Sequence, residues 1–401
     1  MGASDGEAER QVAPFAFGAR ISLLYSAIFF HVGLYLPYFP LWLKARGLSA
    51  TQISIILSLP LIVRVLTSGQ ITSYADRAGD RANVMIALYV ATALATLAYL
   101  FVDVAGGGFW PIFAVTALYA VFFNPLVPVL DSLTLSGVRR FGVDYGRIRL
   151  WGSLVFILAN LGGGLVLAGS DVEAVLFVLV ASVIAGAALS PLLPRIGRPR
   201  NATTQTGLAD ATTWKLLADR RFLLVMLAGG ILQASHALVY GFGSIYWQSL
   251  GFSPAQIGGF WAVSITCEIL LFIFSSRVVT RIGPFTMLVI GGVAAIVRWS
   301  LLPVDLGGGG FIVLQVLHAL TFAAVFIGTQ YLVVRTIPEE MVASAQSVMV
   351  MTVGLVMAGT TALSGPLYAA FGPDSFRFMI ALPVVALALL AAFHVFVKER
   401  Y

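Results

Sequence analysis

Arg64, Asp131, Arg147, Arg149, Glu268 and Arg298 stand inside segments that are otherwise apolar, with His31, His236 and His318 as further titratable groups. A charge at the centre of a hydrocarbon layer costs about 2.5–3.5 kcal/mol on insertion scales, so each needs a partner, a water-filled cavity or a ligand. Arg147, at the polar end of its segment, can reach lipid phosphates along its own stem; Arg149 sits deeper. Arg64 precedes Asp76 by about 18 Å of helix axis, too far to snorkel easily. The deep set has guanidiniums at Arg64, Arg149 and Arg298 against carboxyls at Asp131 and Glu268, and a solute bringing one carboxylate balances it. His318 lies one helical turn from both Gln315 and Thr321, a polar stripe that can hold a solute. The chemistry these residues suit is reversible grip of an organic ion by Asp131, Arg149, Arg64, Arg298, His318 and Gln315, with Glu268, Asp131 and His318 able to exchange a proton.

Bond-making chemistry has no comparable support. The chain contains no His-Glu-x-x-His and a single cysteine, Cys267, inside an apolar run. Its one Gly-x-Ser-x-Gly, at Gly2-Ala-Ser4-Asp-Gly6, lies in an acidic tail without a strand-turn-helix setting. We therefore expect no enzyme, no metal and no cofactor.

The elements that must position these groups are transmembrane helices. Apolar residues make up 59% of the 401 and charged residues only 10%, and the apolar runs last about 20 residues, the length that crosses ~30 Å of hydrocarbon as helix. Breaks at polar, Gly and Pro positions predict twelve spans near 17–43, 51–75, 83–104, 110–135, 146–169, 172–194, 221–247, 256–279, 284–304, 311–335, 342–367 and 374–397. The chain also repeats at an offset of 204: Gly47-Leu-Ser-Ala-Thr-Gln52-Ile53 returns as Gly251-Phe-Ser-Pro-Ala-Gln256-Ile257, and Arg77-Ala-Gly79 as Arg281-Ile-Gly283. Arg64 and Glu268 share that offset, so they belong at matching depths of two related halves. The domain reading is a tail over 1–16, a six-helix half over 17–194, a hydrophilic linker over 195–220 and a second half over 221–401.

Lys and Arg gather in one set of loops, from Arg77, Arg81, Arg139 and Arg140 through the linker to Arg281 and Arg335, and leave only Lys44, Arg46 and Arg377 opposite. By the positive-inside rule the tail, the linker and the C-terminus are cytoplasmic. The net charge of +6 is explained by that asymmetry and implies no nucleic-acid partner. Asn201-Ala-Thr203 matches a glycosylation acceptor but sits in the cytoplasmic linker, and we discount it.

These residues resemble a known family. Thr72-Ser-Tyr-Ala-Asp76-Arg77-Ala-Gly79-Asp80-Arg81 is similar to the signature loop between helices two and three of the major facilitator superfamily, with Thr72 in place of the leading glycine and Asp80 in place of a basic residue. The resemblance implies that Asp76 and Arg77 latch the cytoplasmic gate. Pro128-Val-Leu-Asp131, followed by Arg147-Ile-Arg149-Leu-Trp-Gly152-Ser153, resembles the acidic and basic binding elements of the lactose permease group, and the likeness extends to Glu268, Arg298 and Gln315-Val-Leu-His318-Ala-Leu-Thr321-Phe322. The stretches 145–153 and 317–322 look closest to the phenylpropionate permease branch. Where lactose permease carries its proton-coupling glutamate the chain has Thr321, so coupling, if present, falls to Asp131, Glu268 or His318.

The reading is an all-α membrane protein of the major facilitator fold: twelve transmembrane helices in two pseudo-symmetric six-helix halves that rock about a midplane site. It is expected to be a monomer in a bacterial-type inner membrane and to import a small organic solute, first an aromatic carboxylate such as 3-phenylpropionate, by proton symport. Proton symport of a galactoside-type sugar or a nucleoside is the alternative, and a non-transporting receptor comes last. Gly152, Gly162 to Gly164, Gly354, Gly359 and Gly365 are expected to allow close helix contacts.

Overall fold

The computed structural model describes residues 12–197, 211–338 and 341–398. Half of the linker reading, with Asn201, and most of the 1–16 tail lie outside the described residues. In the first half come α1 (Phe17–Ala45), α2 (Ala50–Arg77), α3 (Arg81–Leu97), α4 (Phe109–Phe123), α5 (Leu126–Phe141), α6 (Tyr145–Ala168) and α7 (Ala174–Leu189). A short α8 (Ala211–Ala218) occupies part of what reads as linker, and the second half follows as α9 (Arg220–Ala234), α10 (Ala237–Ser249), α11 (Pro254–Ile273), α12 (Ser275–Ile282), α13 (Pro284–Leu301), α14 (Gly307–Val316), α15 (Val325–Thr336), α16 (Val342–Phe371) and α17 (Ala381–Lys398). The described residues contain no strand.

Among the described residues, eleven helical stretches are long and apolar enough to cross a membrane, the last running over 52 residues from Ser344 to Val395. At 1.5 Å per residue that stretch is about 78 Å long, more than twice the ~30 Å of hydrocarbon. It turns at Gly372, whose φ of 55° suits a residue without Cβ, and so supplies two passes. The total is the twelve read from sequence.

The internal repeat has a physical counterpart. Gly47 and Gly251 adopt φ of 76° and 88° in the turns before α2 and α11. Ser49 and Ser253 then cap those helices with the same box: each hydroxyl accepts from the amide of Gln52 or Gln256, whose side chain accepts in return from the serine amide. A cap of this kind is worth about 1 kcal/mol, and its duplication starts both helices in register.

Four predicted spans are interrupted where sequence periodicity shows no break, the eighth at Phe274 between α11 and α12. The fourth divides at Asn124-Pro125 into α4 and α5, with the Asn124 amide donating to the Pro60 carbonyl of α2 at 2.7 Å. The seventh divides at Ser235-His236 into α9 and α10, and the tenth passes through a π-helical turn, Ala319–Ala324, between α14 and α15. π turns are tolerated mostly where side chains claim the freed backbone groups; here the Gln233 amide donates to the Phe322 carbonyl at 3.1 Å.

The halves meet mainly through α2 on α16 and α6 on α11. Ser54 on α2 donates to the Ala362 carbonyl of α16 at 2.9 Å, and Gly365 has no room for a Cβ beside Ser54. Tyr38 donates to the Asn160 carbonyl, and Gly258 and Gly164 are pressed against that pair from opposite halves. Gly152, Gly163 and Gly354 are likewise crowded, whereas Gly162 and Gly359 face open space, so close packing accounts for only part of that glycine set. Tyr38, Phe39 and Trp42 are buried within the largest apolar cluster, which spans both halves, and are core residues rather than an interfacial belt.

Candidate functional site

Glu268 on α11, Arg298 on α13, and Gln315, His318 and Thr321 on the α14–π segment converge in the second half. His318 Nε2 lies 3.5 Å from Glu268 Oε2, and His318 Nδ1 lies 3.1 Å from Arg298 Nη1. A guanidinium only donates, so Nδ1 is the accepting nitrogen; the hydrogen is on Nε2 and faces the carboxylate. Arg298 also donates to Gln315 Oε1 at 2.8 Å and Thr321 Oγ1 at 3.2 Å, and its guanidinium stacks on Trp299. Ser264 donates to the same Gln315 oxygen at 2.7 Å, which fixes the amide orientation. Thr321 in turn lies 3.0 Å from His236 Nε2, while His236 Nδ1 lies 3.1 Å from the Gln233 carbonyl. A carbonyl only accepts, so His236 carries its hydrogen on Nδ1 and accepts from Thr321.

Arg298 is 1% exposed yet touches no carboxylate directly among the described residues. Its charge reaches Glu268 through a neutral imidazole. Glu268 thus faces His318 rather than an arginine. Two buried donors, Arg298 Nε and Gln315 Nε2, have no acceptor among the described residues.

The first half holds a different arrangement. Asp131 Oδ1 accepts from the Tyr25 and Tyr145 hydroxyls, the latter at 3.0 Å. Arg149 makes no ion pair with it among the described residues; its guanidinium carbon lies 4.0 Å from the centre of the Phe29 ring and 5.2 Å from that of Tyr25. The side chains that share a motif in sequence thus share a cluster in space without pairing. Arg64, on α2 facing Gly354 of α16, has no hydrogen-bond or ion-pair partner among the described residues. Matching offset did not bring Arg64 to Glu268.

Asp76 pairs with Arg81 at 2.7 Å and accepts from Ser132 at 3.0 Å, both in its own half. Arg77 ends α2. Arg147 is exposed beside Asp144, as its shallow position suggests. His31 is enclosed by Ser182 and Tyr119, each at 2.8 Å, and belongs to the interior of the first half. Sequence reasoning missed Tyr25, Phe29 and Tyr145 as site residues. Tyr25 and Phe29 are four apart on α1 and so share a face, and Tyr145 opens the quoted 145–153 stretch; each offered a signal, but neither carries charge.

Two helical halves carrying buried ionisable side chains are the architecture of a transporter of the major facilitator type. A family model described as "MFS_1 like family" matches residues 19–378, and the chain belongs to that family. It is 30% identical over 374 residues to the "Probable 3-phenylpropionic acid transporter" of Escherichia coli (strain K12), covering 92% of this chain and 96% of that protein. It is 28% identical over 296 residues to the "Maltose permease" of Geobacillus stearothermophilus, 72% of each chain. Among solved structures, the nucleoside transporter NupG superposes with a TM-score of 0.80 at 18% identity, over 96% of this chain and 99% of that one; a likeness at that identity concerns the fold.

Proposed function

We propose that this transporter imports an aromatic monocarboxylate, of which 3-phenylpropionate is the type, together with protons and by alternating access. The observation that carries the reading is Arg149: a guanidinium laid on the Phe29 ring, with no acceptor among the described residues for its N–H edges. A carboxylate can take two parallel bonds from that edge, and the aromatic wall suits a ring beside it. The relative named as a probable 3-phenylpropionic acid transporter, similar over nearly the whole length, supports the same substrate class. Arg64 adds a second cation without a described partner, and the unmet donors of Arg298 and Gln315 suit a further oxygen acceptor.

Glu268 is the proposed proton-coupling group. It is partly exposed, it is the carboxylate nearest Arg298 through His318, and no second carboxyl stands where Thr321 lies. Asp76 and Arg77 are proposed to gate the cytoplasmic side, and the protein to work as a monomer in a bacterial inner membrane with both termini cytoplasmic. Counterflow in proteoliposomes with radiolabelled aromatic acids, sugars and nucleosides tests the substrate. Exchange of 3-phenylpropionate or a close analogue is the expected result. Exchange of maltose or a nucleoside, with no acid exchanged, replaces this reading.

A further inference from the structure

We propose that Tyr25 keeps Asp131 and Arg149 from pairing, and that this spacing sets the preference of the site for anionic over neutral solutes. The inference rests on Arg149 as the carboxylate anchor. Asp131 on α5 and Arg149 on α6 both touch Tyr25, one through its hydroxyl and the other over its ring. Opposite charges that share one aromatic neighbour attract, and an Arg–Asp pair is the default outcome. It does not form here. The Tyr25 hydroxyl and that of Tyr145, one turn before Arg149 on α6, hold the same oxygen of Asp131. The Tyr25 ring, 0% exposed, lies under the guanidinium, and Phe29 holds it at 4.0 Å. The tyrosine is thus a spacer with two ends: a donor that occupies the acid and a face that carries the base.

The consequence is one of charge. An unpaired guanidinium offers a full positive charge to a carboxylate, whereas one already paired presents only a dipole, which suits hydroxyls. Tyr25→Phe keeps the ring and its volume but removes a donor from Asp131, leaving the acid free to swing to Arg149. Asp131→Asn in the same chain removes the competitor.

The test reads the guanidinium directly. Wild-type protein, Tyr25→Phe, Tyr145→Phe and the double variant Tyr25→Phe/Asp131→Asn, each monodisperse in nanodiscs, are treated with phenylglyoxal, and modification of Arg149 is followed by peptide mass spectrometry. In parallel, binding of 3-phenylpropionate and of its neutral amide is measured. Tyr25→Phe should slow labelling of Arg149 several-fold and weaken 3-phenylpropionate about tenfold while sparing the amide, a shift equal to about 1.4 kcal/mol. Tyr145→Phe should move both in the same direction, and the double variant should return the labelling rate of Arg149 to the wild-type value. Wild-type labelling in Tyr25→Phe overturns the proposal, and so does slow labelling that Asp131→Asn fails to relieve. If Arg149→Gln binds 3-phenylpropionate as wild type does, the carboxylate anchor is lost as a reading, and the labelling rates still decide whether Tyr25 separates the pair.

Discussion

A guanidinium that stacks on Phe29 and leaves its edges open differs in kind from one closed by a carboxylate, and two predictions follow at the level of single side chains. Arg149→Lys keeps the charge but loses the planar fork. A charge-assisted hydrogen bond is worth about 1.5–3 kcal/mol, so 3-phenylpropionate affinity should fall roughly ten- to a hundredfold with folded protein retained, as measured by binding to purified variant. In the second half, Glu268→Gln keeps an acceptor for His318 but cannot ionise. Accumulation driven by a proton gradient should be lost in that variant, while energy-independent exchange stays measurable. Normal accumulation with normal pH dependence would move the coupling role to Asp131. The residue types were legible in the sequence because a charge in a long apolar run is conspicuous. Their partners were not, since Tyr25 lies 106 positions from Asp131 and His236 lies 85 from Thr321.

At the scale of elements, the proposed cytoplasmic gate lies at the end of α2. Asp76 is tied to Arg81 and Ser132, so it braces the α2–α3 turn against α5 within the first half. Asp76→Asn weakens that brace, and the loop it orders should then open more readily to the cytoplasm. Single cysteines placed on the cytoplasmic faces of α2 and α16, in a Cys267→Ser background, should react faster with a membrane-impermeant maleimide; unchanged rates would remove Asp76 from the gate. Helix starts were readable at this scale, since the boxes at Ser49 and Ser253 are local chemistry. The interruptions of the seventh and tenth spans were not, because a π turn is stabilised by a neighbour, Gln233 on α9, rather than by its own residues.

For the molecule as a whole, the proposed alternating access requires the α2–α16 seam to part and close. Ser54 and Ala362 face each other across it, Ser54 lying in the α2 turns that follow the α1–α2 connection. Cysteines at these two positions, with Cys267 replaced, should cross-link under mild oxidation, abolish counterflow and release it again on reduction. Cross-linked protein that still transports would show that this seam stays shut throughout the cycle.

Composition by itself determined that the chain lies in a membrane as helices, because hydrocarbon leaves a backbone no other way to satisfy its hydrogen bonds over twenty residues. The repeat determined that there are two halves, and the capping serines confirm its register to the residue. Net imbalance among the deep charges, and therefore the expectation of an anionic solute, was also present in the sequence. Only the tertiary structure decided which charges meet. It placed His318 between Glu268 and Arg298, held Asp131 with two phenols and left Arg149 on an aromatic face, none of which follows from spacing along the chain. The reason is physical: periodicity records which solvent a helix face meets, whereas pairing depends on how helices far apart in sequence rotate and cross, and that is settled by the packing of every side chain between them.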